Sequence, residues 1–184
     1  MNVAVFGATG FVGNYLLNEL EKNNYKSQAL IRKGSEYKIK PSKNLKIILG
    51  DISEKKIIRK VLKDADTIIY TIGIIREFKH KNICFDRLHH QGVKNVMEEA
   101  EKLNIKRFIL MSANGVKKEG TKYQMSKYLG ELALINSDLN WTIFRPSLIF
   151  GDSNGKEEFC AQLKRDMLSL PFPAPLFYNG LFPF

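Results

Sequence analysis

The first thirteen residues, MNVAVFGATGFVG, restrict the fold of this chain more than any other stretch. A short apolar run, 3–6, enters Gly7-Ala8-Thr9-Gly10-Phe11-Val12-Gly13 directly. A helical pattern follows at once, with Val12, Tyr15, Leu16 and Leu20 on one face. Strand, glycine turn and helix in that order can hold a pyrophosphate. The first glycine permits the tight turn, the second lets backbone approach phosphate, and the third lets helix and strand pack closely. The helix N-terminus adds unpaired N–H groups and a partial positive charge. The spacing is GxxGxxG rather than GxGxxG, and a glycine trio alone is a weak signal. The strand before it and the helix after it favour a nucleotide site over a plain turn. The expected contacts are Gly7, Thr9, Gly10, Phe11, Val12 and Gly13.

Strand and helix patterns then alternate. Asn23-Asn24 is a helix stop, and 27–31 reads as a second strand. A polar loop over 36–44, containing Pro41, leads to a third strand at 45–49, closed by Gly50-Asp51. Ser53 is placed to cap a helix that runs to Lys63, with Ile57, Val61 and Leu62 facing inward. A fourth strand spans 67–72 and stops at Gly73, and 76–82 is a charged connection. The spacing of Phe85, Leu88, Val96, Ala100 and Leu103 predicts one long helix over 85–103. A fifth strand at 107–111, a helix at 123–135 and a sixth strand at 141–144 complete the pattern. The alternation predicts an α/β fold, a doubly wound parallel sheet with helices on both faces. Ligands in such sheets lie beyond the carboxyl ends of the strands, so Gly7, Arg32, Asp51, Gly73, Ser112 and Pro146 should line one crevice.

The residue ending the second strand, about 20 past the glycines, faces the adenosine ribose in this architecture. An acid there would accept from the 2′-hydroxyl and repel a 2′-phosphate. This chain has Arg32 and Lys33 instead, and the guanidinium fork suits a phosphate. NADP is therefore expected ahead of NAD.

Length suffices for one domain with a sizeable core. No apolar run approaches the roughly 20 residues of a membrane span, and the apolar start lacks the basic flank of a signal peptide. Cys84 and Cys160 have no metal-ligand or CxxC spacing, so a reduced cytoplasmic setting is expected and no metal site. The net charge is +10, but the lysines are scattered and no aromatic-plus-basic module accompanies them, which argues for a solvated surface and against nucleic-acid binding.

Tyr123 and Lys127 stand four apart and share a helix face. An ammonium beside a phenol lowers its pKa from about 10, which would make Tyr123 a general acid/base near neutrality. Ser112 could hydrogen-bond a substrate carbonyl. These residues, together with Gly7-Ala-Thr-Gly10-Phe-Val-Gly13, Gly50-Asp51 and Arg145-Pro-Ser-Leu-Ile-Phe-Gly151, resemble the short-chain dehydrogenase/reductases. The RPxxxxG stretch is similar to that of extended and atypical members. His89-His90-Gln91-Gly92 resembles the His-x-x-Gly of the branch containing the nucleotide-binding accessory subunit of respiratory complex I and its bacterial relatives. The likeness covers residues 1–151.

The resemblance implies a Rossmann-like domain over 1–151 with NAD(P) across the glycine loop, and a shortened substrate-binding region over 152–184. Asp51 and Ile52 would flank the adenine, Gly73 and Pro146 would line the cofactor, and Lys127 would hold the nicotinamide ribose. Tyr123 would protonate a carbonyl held by Ser112, on a small-molecule substrate left unidentified. His89 stands where many active relatives carry a proton-relay asparagine. It and His90 are read either as partly exposed helix residues or as functional ones. The alternatives are a non-catalytic subunit that binds the cofactor, assembling a respiratory complex at the membrane periphery or sensing redox state, and a nucleotide-sugar epimerase or dehydratase. Residues 168–184 carry four prolines, several aromatics and no charge, so this tail is expected to engage a protein partner, fold back onto the sheet or promote aggregation.

Overall fold

The structure is a computed structural model that describes residues 1–152 and Arg165. Met1–Ser147 make one compact unit, and the account below is of that unit. The expected region 152–184 and its apolar tail lie, from residue 153 on and apart from Arg165, outside the described residues.

The central strand is β1 (Asn2–Phe6), and Val3, Ala4, Val5 and Phe6 are fully buried, two on each face. A strand covered on both sides reads as a continuous apolar run, as this one does. Around it lie β2 (Lys26–Ile31), β3 (Leu45–Leu49), β4 (Thr67–Tyr70), β5 (Arg107–Met111) and β6 (Asn140–Phe144). The six strands are parallel, in the order β3-β2-β1-β4-β5-β6. Winding outward in both directions from β1 sends the connections after the paired strands β1 and β4 to opposite sides, which in such sheets leaves a crevice at the carboxyl edge.

On one face α1 (Phe11–Lys22) packs Leu20 against Val3, Val5, Ala29 and Ile31. On the other face α2 (Lys55–Leu62), α3 (Gly92–Lys102) and α4 (Lys122–Ile135) cover Ala4, Phe6, Ile68, Tyr70, Phe108 and Leu110. The ring of Tyr70 is stacked between Phe6 and Phe108, with centroids 6.0 and 6.4 Å away.

Several local expectations change. Tyr15 lies on the exposed side of α1, where its ring meets Phe11 edge-on. Ser53 does not cap α2. Its N–H and hydroxyl both donate to Asp51, and Glu54 takes the cap position. The helix starts one residue later than a Ser53 cap implies, and Ile58, rather than Ile57, joins Val61 and Leu62 in the buried set. Strand β4 ends at Tyr70 because Thr71 turns its N–H and hydroxyl back to the Phe6 carbonyl. The long helix over 85–103 opens as a π-turn, Asp86–Gln91, before α3 begins at Gly92. There the Leu88 carbonyl accepts the buried Tyr70 hydroxyl at 2.6 Å. Leu103 is exposed.

The edge strand β6 is tied to α4 by Arg145, whose Nε and Nη2 reach the two carboxylate oxygens of Glu131 at 3.0 and 2.5 Å. Glu131 is 1% exposed, whereas the Arg145 side chain is half in water. Removing Arg145 strands a buried carboxylate. Arg145→Ala should therefore cost about 3 kcal/mol in urea unfolding, with Arg145→Lys recovering part of it.

Candidate functional site

The turn after β1 is built on close backbone contact. Gly7 has φ +103°, and a Cβ there would lie 2.6 Å from the Thr71 hydroxyl. A Cβ on Gly13 would lie 2.1 Å from the Gly7 carbonyl. Neither position tolerates a side chain. The turn is held by Gly10 N–H donating to the Gly7 carbonyl at 3.1 Å and by the Asn14 side chain donating to the Ala8 carbonyl at 2.9 Å. Gly10 caps α1 with no side-chain hydrogen bond, and the first turn of the helix holds no acid. Phe11, Val12 and Gly13 thus sit where a helix leaves its amides unpaired, suited to an anion. Thr9 is half-buried in the same turn.

Arg32 and Lys33 follow β2, both exposed, ahead of Gly34 at φ +79°. Asp51 follows β3. Burial would raise its pKa, but hydrogen bonds from Ser53 and Arg87 outweigh that and hold the carboxyl below the usual carboxylate range. Arg87, on the π-turn, is a residue sequence spacing could not supply, because it meets Asp51 across the fold. Ile52 departs from expectation. Its side chain is 3% exposed and packs into the core, while its carbonyl accepts from Asn95.

At the other end of the crevice, Gly73 and Lys127 come together, since a Cβ on Gly73 would lie 3.3 Å from Lys127 Nζ. Lys127 is 5% exposed and donates to the Met111 carbonyl at 3.1 Å. Burial pulls its pKa down to about 8, against the opposing pull of Glu131. Met111 precedes Ser112, which is also buried. The Ser112 N–H donates to the Phe144 carbonyl, but its Oγ has no hydrogen-bond partner among the described residues. A buried hydroxyl left unpaired is costly and marks a place where a ligand atom can repay it. Pro146 follows β6, its carbonyl accepting from the Asn114 N–H.

Tyr123 is half-buried, its ring edge-on to Phe85 and His89 at 5.6 and 5.4 Å. Here the electrostatics reverse the expectation from spacing. Burial raises the phenol pKa, and no lowering by Lys127 offsets it. The ammonium is instead turned to the Met111 carbonyl. The histidines separate too: His89 is 2% exposed, while His90 pairs with Asp86 one turn back.

A profile described as NAD(P)H-binding matches residues 7–166. The chain belongs to the NAD(P)H-binding family. Among relatives, it is 27% identical over 150 residues to a ceramide reductase of Caulobacter vibrioides, covering 81% of this chain and 46% of that protein. It is 33% identical over 159 residues to the mitochondrial NADH dehydrogenase [ubiquinone] 1 alpha subcomplex subunit 9 of Arabidopsis thaliana, covering 80% and 38%. The chain thus spans less than half the length of these curated relatives. A putative NAD-dependent epimerase/dehydratase from Bacillus halodurans superposes with TM-score 0.68 at 27% identity, covering 83% of this chain and 72% of that one. WbmH of Bordetella bronchiseptica, in complex with NAD+, shares the fold with TM-score 0.71 at 21% identity, covering 82% and 56%. A dinucleotide is accordingly the cofactor class of this NAD(P)H-binding domain, and no helix among the described residues is long and apolar enough to cross a membrane.

The Lys127 amine gives this site a pH signature. Its pKa stands at about 8 in the fold against 10.5 when solvated, so the folded chain binds fewer protons between those values. Below pH 8 the fold bears the whole cost of the buried charge, roughly 3 kcal/mol, and that cost fades as pH rises towards 10.5. Lys127→Met, which cannot ionise, should gain stability over the parent most below pH 8. In chemical denaturation the gap should hold from about pH 6 to about pH 8 and then narrow towards about pH 10.

Proposed function

We propose that residues 1–151 are the cofactor half of an NAD(P)H-dependent oxidoreductase acting on a carbonyl or the alcohol it becomes. The observation that carries this reading is the unpartnered, buried Ser112 Oγ beside the strand end that Lys127 engages. The glycine turn, the uncapped α1 N-terminus and this orphaned hydroxyl fit a dinucleotide with a substrate oxygen at its reactive end.

In this reading Gly7, Thr9, Gly10, Phe11, Val12 and Gly13 carry the pyrophosphate. Asp51 and the Ile52 backbone flank the adenine, and Gly73 and Pro146 line the path between. Lys127 gives up its bond to the Met111 carbonyl to hold the nicotinamide ribose. Reduced nicotinamide, when bound, supplies hydride. Ser112 orients the substrate oxygen by donating to it, and Tyr123 gives that oxygen a proton. A phenol whose pKa is raised is protonated at neutral pH, which suits a proton donor and therefore the reducing direction.

Arg32 and Lys33, exposed at the β2 end with no acid beside the strand terminus, support NADPH over NADH through contact with the 2′-phosphate. Calorimetric titration tests this: NADPH should bind at least tenfold more tightly than NADH. Arg32→Ala should erase most of that preference, about 1.4 kcal/mol. Comparable affinities for the two would remove the assignment. Substrate-dependent oxidation of NADPH should fall at least 100-fold in Tyr123→Phe.

One observation favours a second reading, a subunit that binds cofactor without turnover. Lys127 points to a backbone carbonyl and leaves the Tyr123 phenol unactivated. A relative named as a subunit of NADH dehydrogenase fits that role. Tight dinucleotide retention with no NADPH oxidation over a panel of carbonyl compounds would select it.

A further inference from the structure

We propose that His89 is a positioning residue, a neutral strut that fixes the loop after β4 to the helix carrying Tyr123 and Lys127. The Ile74 N–H donates to His89 Nε2 at 3.0 Å, so that nitrogen carries no proton. The ring proton is on Nδ1, which faces Ser126 Oγ at 2.9 Å. Ser126 spends its own proton on the Tyr123 carbonyl, also at 2.9 Å, and so accepts from His89. The hydrogen bonds run in one direction, from ring to hydroxyl to helix backbone.

The packing leaves this strut no slack. Phe85 stacks on the ring at 5.5 Å, and Tyr123 meets it edge-on. A Cβ on Gly130 would lie 2.2 Å from the His89 carbonyl, so α4 and the π-turn touch backbone to backbone. Gly73, one residue before the donor amide, lies beside both His89 Nε2 and Lys127 Nζ.

Protonation would break the arrangement, because a charged ring offers Nε2–H against the Ile74 N–H. The titratable groups facing the ring are Lys127 and Tyr123, both on α4. Burial and the Lys127 charge push the imidazole down to about 3, so it stays neutral at physiological pH. Both ring nitrogens are committed, and the chain of bonds ends on the Tyr123 carbonyl rather than its phenol. His89 is therefore no proton shuttle. It sets where Gly73 and Ile74 stand, and cofactor affinity comes to depend on a side chain that need not touch the cofactor.

The affinity readout rests on the dinucleotide reading above, whereas the spectroscopic ones do not. In the full chain, 15N NMR of the histidines should show His89 as the neutral Nδ1–H tautomer from pH 5 to pH 8. Ile74 should be a slowly exchanging amide. His89→Ala should weaken NADPH binding about tenfold or more, as expected for a lost buried hydrogen bond, and speed Ile74 exchange. His89→Gln can accept from Ile74 and donate to Ser126, and should restore affinity to within about threefold. A ring that titrates between pH 5 and pH 8, or an Nε2–H tautomer, overturns the proposal. So does His89→Ala with unchanged affinity and unchanged Ile74 exchange. If His89→Ala does not fold, the tautomer and His89→Gln decide. If the parent chain binds neither NADPH nor NADH, the dinucleotide reading fails while the tautomer and the Ile74 amide still judge the strut.

Discussion

Burial of β1 on both faces is the constraint from which the rest follows. Val3 through Phe6 expose nothing, so the sheet needs helices on each side, and the chain must leave the core abruptly at Phe6. The exit is possible only with backbone packed on backbone, Gly13 against the Gly7 carbonyl and Gly7 against Thr71. That contact brings the α1 amides to the mouth of the crevice. The same glycines thus meet a packing requirement and leave the α1 amides open to an anion.

A second close approach organises the opposite end of the crevice. Gly92 gives room to the Tyr70 hydroxyl, and Gly130 gives room to the His89 carbonyl. Between them the π-turn is clamped to the sheet below and to α4 beside it. Single π-turns of this kind concentrate at functional sites, and this one pairs Arg87 with Asp51 and packs His89 under the loop after β4. Close backbone contacts thus anchor the loops at both ends of the crevice.

Electrostatics separate the residues along the crevice. Asp51 stays ionised because Ser53 and Arg87 compensate for its burial. Lys127 and Tyr123 have no comparable compensation, and burial moves each towards its neutral form. A site lined by an amine still mostly charged at neutral pH, a protonated phenol and an unpartnered serine hydroxyl carries the buried cation Lys127 at this end. The exposed cations Arg32 and Lys33 lie where β2 ends.

The amino-acid sequence alone determined the parallel sheet, the places of most of its strands, and the glycine turn. Each rests on local chemistry: apolar runs of strand length, helical spacing, and backbone freedom at Gly7 and Gly13. Strands β3 and β5 fall where their apolar runs lie, at 45–49 and 107–111. What the sequence could not determine depends on partners distant along the chain. Spacing put Lys127 beside Tyr123, but α4 buries the amine and turns it to Met111, so the phenol moves the opposite way. Helical periodicity over 85–103 gave no sign of the π-turn, because a phenol on β4 draws out the Leu88 carbonyl. Nor could a histidine pair show which ring would be buried. His89 became the neutral, doubly bonded one through Ile74 and Ser126, and only tertiary packing brings those two to the same ring.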